Sequence, residues 1–196
     1  FDVVSRAGWG AQAPRSDPGR QNPAKVTVHH TDGSQPTELA ESIRVVKNIQ
    51  HDHRNISDKR KGGRWADIGY HFLIDGAGRV FEGRHAEVIG AHAGGGNNMN
   101  NVGISLMGDF NKQQMTAPQR DSLVRLVTFL SIKYRRDPSA NGFIESHSHY
   151  GDTDCPGRNV LAFLSSGELM RSASAMVARV GADPRFHAGL VVAPSA

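Results

Sequence analysis

Apolar and β-branched residues cluster in five short stretches bounded by turn residues, which is the pattern of β-strands. These stretches are residues 26–30, 69–75, 79–83, 102–107 and 143–146. The second and third are joined by Gly76-Ala-Gly78, so we predict that they form a β-hairpin. The fourth is apolar almost throughout, which predicts a strand at the centre of a sheet.

Apolar residues at helical spacing predict helices between these strands. The first helix begins after Thr37 as its N-cap and runs to about Arg54. Its predicted buried stripe is Leu39, Ile43, Val46 and Ile49. A capping box at residues 116–119 begins a second helix that runs to about Tyr134, and two shorter helices are predicted at 159–164 and 168–180.

The remaining segments show no regular period. We expect the first 24 residues to form an irregular arm with Trp9 as its buried anchor, and residues 57–64 to form a solvated basic loop. The order of elements is strand, helix, hairpin, strand, helix, strand, helix. This order predicts a mixed α/β protein with a central mixed sheet of about five to six strands and helices on its faces.

Composition and charge narrow the class of protein. The chain has 196 residues with 38% hydrophobic residues, which is typical of one soluble domain, and no apolar run approaches the roughly 20 residues of a membrane span. A net charge of +4 favours anionic partners such as an acidic cell-wall polymer. The basic residues form no stripe with interleaved aromatics, so we expect no nucleic-acid partner. The glycine run at 94–96 lacks the Gly-Lys-Ser/Thr ending of a phosphate loop, so we expect no nucleotide site.

One polar loop holds the only cysteine of the chain: His147-Ser-His-Tyr-Gly-Asp-Thr-Asp-Cys155. Buried thiols usually lie in apolar segments, whereas Cys155 is flanked by Asp154 and Pro156. This setting suits a thiolate bound to a metal, because Zn²⁺ accepts cysteine sulfur and histidine nitrogen alike. A buried small side chain and a cysteine nucleophile with His147 as its base are the alternatives.

A metal site in this loop needs a further ligand from elsewhere, and the His29-His30 pair is the obvious donor. Because successive side chains of a strand point to opposite faces, only one of the two histidines is expected to bind the metal. The pattern alone leaves open which one. His53 continues the apolar stripe of the first helix, and we interpret it as a hydrogen-bonded wall residue.

Five motifs occur in a fixed order along the chain and together carry a resemblance. They are His29-His-Thr31, Trp65-Ala-Asp-Ile-Gly-Tyr-His-Phe72, Gly90-Ala-His-Ala93, Val102-Gly-Ile-Ser105 and Thr153-Asp-Cys-Pro-Gly157. The chain thereby resembles the type 2 N-acetylmuramoyl-L-alanine amidases and the peptidoglycan recognition proteins, a T7 lysozyme-like family. The resemblance covers roughly residues 3–165 and implies a groove with one Zn²⁺ per chain on one face of the sheet.

The resemblance also implies roles for individual residues. The family's metal ligands correspond to His29, His147 and Cys155, which leaves His149 as a residue that supports the ligands or lies at the rim. The catalytic positions correspond to Tyr70 and Thr153. Members similar to T7 lysozyme have lysine where this chain has Thr153, whereas catalytic peptidoglycan recognition proteins have threonine. The expected substrate contacts are His30, Trp65, Arg84, His92 and Asn98; for Trp65 and Arg84, a core aromatic and an ion pair at the end of the hairpin are the structural alternatives.

The activity implied by the resemblance is hydrolysis of the amide between the lactyl group of muramic acid and L-alanine. Members that only recognise peptidoglycan usually lose the cysteine ligand, so Cys155 favours catalysis over a binding module. A cysteine hydrolase is the third alternative. The expected partners are peptidoglycan and muropeptides, with a monomer that is secreted or located in the periplasm or cell wall. Since the chain begins at Phe1 rather than Met, we expect that any targeting segment is not part of it.

The predicted organisation is a zinc amidase domain at residues 1–166 followed by a C-terminal helical extension and tail at 167–196. The pattern does not choose between a packing helix, a linker and an oligomer contact for this extension.

Overall fold

A computed structural model describes residues 3–55 and 64–181 of the chain. The predicted basic loop therefore lies outside the described residues except for Arg64, and the tail lies outside them from residue 182 onward. None of the helices within the described ranges is long and apolar enough to cross a membrane.

One mixed sheet organises the fold and confirms the predicted fold class. Its strands are β1 Val3–Val4, β2 Lys25–His30, β3 Phe72–Ile74, β4 Val80–Glu82, β5 Asn101–Leu106 and β6 Ile144–Ser146. Their order across the sheet is β1-β4-β3-β5-β2-β6. Strands β3 and β4 are the predicted antiparallel hairpin, and the other neighbours are parallel. Every residue of β5 is buried, as expected for a strand near the centre.

The sheet has helices on both faces because its side chains alternate between two hydrophobic clusters. The helices are α1 Arg6–Trp9, α2 Leu39–Asn55, α3 Ala117–Lys133, α4 Arg158–Ser165 and α5 Glu168–Gly181. Val28 and Ile104 pack on the face that carries α3, α4 and α5. Leu73 and Phe81 pack on the face that carries α1 and α2.

The N-terminal arm is more regular than the sequence pattern predicts. Its first residues add β1 to the edge of the sheet, parallel to β4. Ser5 then caps the single turn of α1, its side chain accepting a hydrogen bond from the N–H of Gly8. Trp9 is buried as predicted and donates from its indole N–H to the carbonyl of Glu82 at 2.7 Å. Sequence periodicity misses elements this short because two to four residues do not complete a period.

Helix α2 begins two residues after Thr37, and its buried face differs from the predicted stripe. The buried residues are Ser42, Val46, Gln50 and Arg54, at intervals of four. Leu39 is instead 44% exposed. The polar members are buried because each finds a partner: Ser42 Oγ, for example, donates to Asp75 at 2.6 Å. Of the predicted stripe, Val46 is buried and Ile43 and Ile49 pack partly buried against the core, so the prediction was wrong for Leu39 and in treating only apolar side chains as candidates for burial.

Helix α3 follows its predicted pattern more closely. Thr116 is the N-cap, its side chain accepting from the N–H of Gln119 at 3.1 Å. The predicted stripe of Leu123, Leu126, Val127 and Leu130 is fully buried. The Gln119 side chain does not complete a reciprocal capping box; its amide donates to the carbonyls of Ile74 and Met107 and so ties the helix to the sheet.

Helices α4 and α5 correspond to the two shorter predicted helices. Val160 of α4 and Leu169 of α5 both lie in the cluster under α3. The division of the chain at residue 166 stays a prediction.

Candidate metal centre

The candidate metal centre lies where two parallel strands end. Strands β2 and β6 are neighbours, and Val28 pairs with Ser146. His29 and His147 each follow that pair by one residue, so the register brings the two imidazoles together. Their ring centroids are 4.5 Å apart.

Cys155 reaches the same point from the loop after β6. Its Sγ lies 3.7 Å from Nδ1 of His29 and accepts a hydrogen bond from the backbone N–H of His30 at 3.3 Å. His29, His147 and Cys155 offer three ligand atoms that all lie within 4.8 Å of one another. Nitrogen and sulfur ligands on one tetrahedral Zn²⁺ lie about 3.5 Å apart, given bonds of about 2.0 and 2.3 Å. The observed separation of the His29 and Cys155 ligand atoms therefore fits a zinc ion.

The electrostatics of the thiol favour a metal ligand over a free nucleophile. Burial raises the pKa of Cys155 to about 12, and the hydrogen bond from His30 offsets only part of the rise. A catalytic cysteine needs its pKa lowered to be a thiolate at neutral pH, whereas a bound metal deprotonates a coordinating thiol directly. The burial of Cys155 thus speaks against the cysteine hydrolase alternative.

The two predicted catalytic residues lie beside these ligands. The ring of Tyr70 lies 5.2 Å from that of His29. Burial, with a smaller contribution from Cys155, raises the pKa of its hydroxyl above the usual range. Thr153 accepts a hydrogen bond from the N–H of Cys155 at 3.2 Å, which leaves its own hydroxyl proton available.

A wall of aromatic rings borders the site on the side of α2. His53 packs against Trp65 and Tyr70, with centroids 4.5 and 5.5 Å away. Its Nδ1 accepts a hydrogen bond from the N–H of Gly69 at 2.9 Å. His53 is therefore the hydrogen-bonded wall residue that the helical pattern indicated, and Trp65 is half-buried beside it.

Arg84 lies under the surface, unlike the surface contact that the resemblance implies. Its side chain is 4% exposed, and its guanidinium donates to the carbonyls of Ile68, Ile89 and Asp67. It therefore joins the end of the hairpin to two loops. This position favours a structural role.

His30 and Asn98 are likewise engaged in internal contacts. His30 is 6% exposed, and its Nδ1 accepts from the N–H of Phe110 at 3.3 Å. Asn98 accepts at Oδ1 from the N–H groups of His92 and Ala93, and so shapes the glycine-rich loop. Both positions favour a role in holding the backbone around the site rather than in contacting substrate.

The sequence did not predict that His92 contacts His29. Its ring is 6% exposed and lies behind His29, with Nδ1 3.0 Å from Nε2 of that ligand. No periodicity predicts this contact, because it joins a loop to a strand across 63 positions.

A second group of potential ligands, His30, Asp32 and Asp109, lies close to the first. The Asp109 carboxylate is paired with Lys112 at 2.8 Å. Since Nδ1 of His30 accepts a hydrogen bond, its neutral ring presents a donor rather than a lone pair at Nε2. This group therefore fits a cation less well than His29, His147 and Cys155.

Comparisons with known proteins identify the family and the fold. The sequence profile of a family described as N-acetylmuramoyl-L-alanine amidase matches residues 19–158. Peptidoglycan-recognition protein SC2 of Drosophila melanogaster is 36% identical over 160 residues, which are 81% of this chain and 82% of the relative.

Two solved structures show the same fold. One is a tyrosine-to-phenylalanine mutant of Drosophila peptidoglycan recognition protein LB in complex with tracheal cytotoxin. It has a TM-score of 0.73 at 32% identity and covers 84% of this chain and 93% of that one. The other is the N-acetylmuramoyl-L-alanine amidase LysC from Clostridium intestinale URNW, with a TM-score of 0.63 at 26% identity over 84% of this chain and 98% of that one.

Proposed function

The chain belongs to the N-acetylmuramoyl-L-alanine amidase family, which includes peptidoglycan recognition proteins, and from this premise we propose that it is a zinc-dependent amidase. Its substrate is peptidoglycan. The bond that it hydrolyses is the amide between the lactyl group of muramic acid and L-alanine of the stem peptide.

The observation that carries the proposal is the convergence of His29, His147 and Cys155 ligand atoms within 4.8 Å. Three protein ligands are the number found in catalytic zinc sites, where the fourth position binds water or substrate. A closed structural site would need a fourth protein ligand. We therefore propose one catalytic Zn²⁺ per chain.

Zinc in such a site supplies an activated water and polarises the scissile carbonyl. The chain's own residues then orient the substrate and stabilise the oxyanion that forms when water adds to the carbonyl carbon. Tyr70 is protonated at neutral pH, and its raised pKa reinforces that neutral form, so its hydroxyl is a hydrogen-bond donor for that oxyanion. Thr153 is the second proposed donor.

The substrate surface is proposed to include Trp65, which is half-buried and packs against His53 in the aromatic wall of the site. Four further residues support this surface from the protein interior: His30, Arg84, His92 and Asn98. A relative of this chain was solved with tracheal cytotoxin, which supports a muropeptide as the ligand class. Because peptidoglycan lies outside the cytoplasm, we propose that the protein acts in the cell wall, the periplasm or the extracellular space.

A recognition module without catalysis is the second candidate, since similar curated proteins carry the name peptidoglycan-recognition protein. Cys155 argues for catalysis, because a module that only binds the polymer does not need a thiolate ligand. The two functions make different predictions for hydrolysis but the same prediction for binding.

The test is incubation of purified protein with defined muropeptides, followed by mass spectrometry of the products. We expect release of the intact stem peptide, loss of this release with a chelator, and its recovery with added zinc. His147→Asn should reduce the rate more than about 100-fold, since removing a direct ligand exceeds the effect of removing a residue that only supports one.

His149→Asn is the matched control. His149 lies two residues further along, is exposed, and contacts Glu145 at 3.3 Å rather than the ligands. Its replacement should leave the rate close to wild type. Protein that binds muropeptides but releases no peptide at any zinc concentration would establish the recognition module instead.

A further inference from the structure

His92 lies behind His29, on the side of the ring away from Cys155. The two imidazoles meet edge to face, with centroids 5.0 Å apart and planes at 87°. His29 is fully buried and His92 nearly so. Each ring therefore depends on the other and on the backbone for its hydrogen bonds.

The chain of hydrogen bonds fixes which nitrogen of each ring carries the proton. Nε2 of His92 lies 3.1 Å from the carbonyl oxygen of Asn101. A carbonyl only accepts, so this nitrogen must be the N–H of a neutral His92. Its Nδ1 is then a lone pair and must accept from Nε2–H of His29, 3.0 Å away. His29 is left with its lone pair on Nδ1, which is the nitrogen 3.7 Å from Sγ of Cys155.

The slot that holds His92 is made by two glycines. A Cβ on Gly103 of β5 would lie 2.6 Å from Cδ2 of His92, and a Cβ on Gly90 would lie 2.6 Å from the same atom. No real side chain tolerates such a contact with a ring that cannot move. Asn98 fixes the slot from the other end by accepting from the N–H of His92 at 2.7 Å.

We propose that His92 is a positioning residue for zinc, which holds His29 in the orientation and tautomer that present Nδ1 to the metal. The inference rests on the proposed zinc site but not on the reaction that the site catalyses. Ligating histidines in metalloproteins commonly donate their second ring N–H to a fixed acceptor, and loss of that acceptor typically costs 10- to 100-fold in metal affinity. Here the acceptor is another imidazole, clamped between glycines and a backbone carbonyl.

Two replacements of His92 separate positioning from mere packing. An asparagine amide reaches the place of Nδ1, so His92→Asn keeps an acceptor for His29 and loses the bond to Asn101. A glutamine amide reaches the place of Nε2, so His92→Gln keeps a donor for Asn101 and loses the acceptor. Zinc affinity of the full chain is measured by competition with a chromophoric chelator. We expect His92→Gln to weaken binding 10- to 100-fold, and His92→Asn to stay close to wild type.

The opposite order, with glutamine tolerated and asparagine not, would show that only the bond to Asn101 matters and would overturn the proposal. Equal affinity in both variants and wild type would overturn it too. Because no substrate is present, a protein that fails as an amidase still gives a clear answer here. Conversely, an active amidase whose zinc affinity ignores His92 would retain the proposed function and lose the inference.

A second pair of variants leaves His92 itself intact. Gly103→Ala places a methyl against its ring, whereas Gly96→Ala places one where nothing lies within 4 Å. We expect the first to weaken zinc binding and the second to leave it unchanged. If neither His92 variant folds, NMR of the zinc-loaded wild-type chain decides: a proton on Nε2 of His29 supports the proposal, and a proton on Nδ1 contradicts it.

Discussion

Tyr70 lies with its ring 5.2 Å from that of His29, in surroundings that raise the pKa of its hydroxyl. A tyrosine in water is already protonated at neutral pH, so the rise does not change its charge. It makes the neutral donor form more secure beside a developing negative charge. Tyr70 is itself half-buried, and exclusion of water from around its hydroxyl strengthens any hydrogen bond that it donates to a substrate.

Replacement of Tyr70 by phenylalanine tests this role directly. We expect kcat to fall about 100- to 1,000-fold, the usual cost of one oxyanion donor, with zinc affinity unchanged because Tyr70 is not a ligand. Both are measured on the same preparation, with muropeptide turnover beside chelator competition. Tyr134→Phe is the control, since Tyr134 contacts Glu87 rather than the ligands. A variant that turns over at the wild-type rate would remove Tyr70 from the mechanism.

For individual residues, the sequence predicts some roles and misses others. Strand alternation alone indicated that only one of His29 and His30 binds a metal. In the structure the ring of His29 lies beside the Cys155 thiol, whereas that of His30 accepts a hydrogen bond from the N–H of Phe110. Strand alternation gave no sign of the contact between His92 and His29, which depends on how a loop crosses β5. Arg84 shows the same limit, because its three carbonyl partners come from segments whose proximity only the fold creates.

Among the elements, strands were more predictable than helix faces. The hairpin of β3 and β4 and the central position of β5 follow from turn residues and apolar runs. The buried face of α2 does not, because Ser42, Gln50 and Arg54 are buried through hydrogen bonds. Gln50, for instance, donates to Asp67 at 2.6 Å. A pattern of apolar residues does not reveal which polar residues have partners elsewhere in the chain.

Helix α5 provides a test of how its packing on α3 contributes to stability. Leu169 is 1% exposed, whereas Leu39 at the start of α2 is 44% exposed. We expect Leu169→Ala to lower the free energy of unfolding by about 2–5 kcal/mol, through lost burial and the cavity left behind.

The matched variant Leu39→Ala should change the free energy of unfolding by less than about 0.5 kcal/mol, as exposed substitutions do. Urea unfolding monitored by circular dichroism measures both. A Leu169→Ala protein as stable as Leu39→Ala would mean that α5 is not part of the cooperative unit. The proposed extension from residue 167 would then be separable from the domain before it.

The molecule as a whole carries an unusual set of buried neutral histidines. Burial lowers the pKa of His71 to about 4 and lowers those of His29 and His92 well below the usual value. His71 is held by two backbone groups, accepting from the N–H of Gly103 and donating to the carbonyl of Val88. Each of these rings takes up a proton more readily in the unfolded chain than in the folded one.

Stability should therefore fall as the pH is lowered from about 6.5 to about 4. In that window the unfolded chain binds more protons, so the free energy of unfolding rises with pH. The shift at His71 alone corresponds to roughly 3 kcal/mol. Urea titrations of zinc-free protein across this range measure the slope of the free energy of unfolding against pH.

His71→Gln should make that slope shallower, whereas His51→Gln should leave it unchanged because His51 is exposed. A slope that is the same in all three proteins would contradict a buried neutral His71. Metal must be absent from these titrations, since protonation of the zinc ligands adds a dependence of the same sign.

The pairing of β2 with β6 brings together proposed ligands that lie far apart along the chain, which has a consequence for its synthesis. His29 and Cys155 are separated by 126 positions, and a ribosome adds about 5–20 residues per second. The first ligand is therefore made roughly 6–25 seconds before the last. During that interval the nascent chain cannot complete the proposed three-ligand site, so we expect zinc capture by that site to be a late event. A fluorescent zinc probe that competes with arrested nascent chains should detect tight binding only once Cys155 has left the ribosomal tunnel.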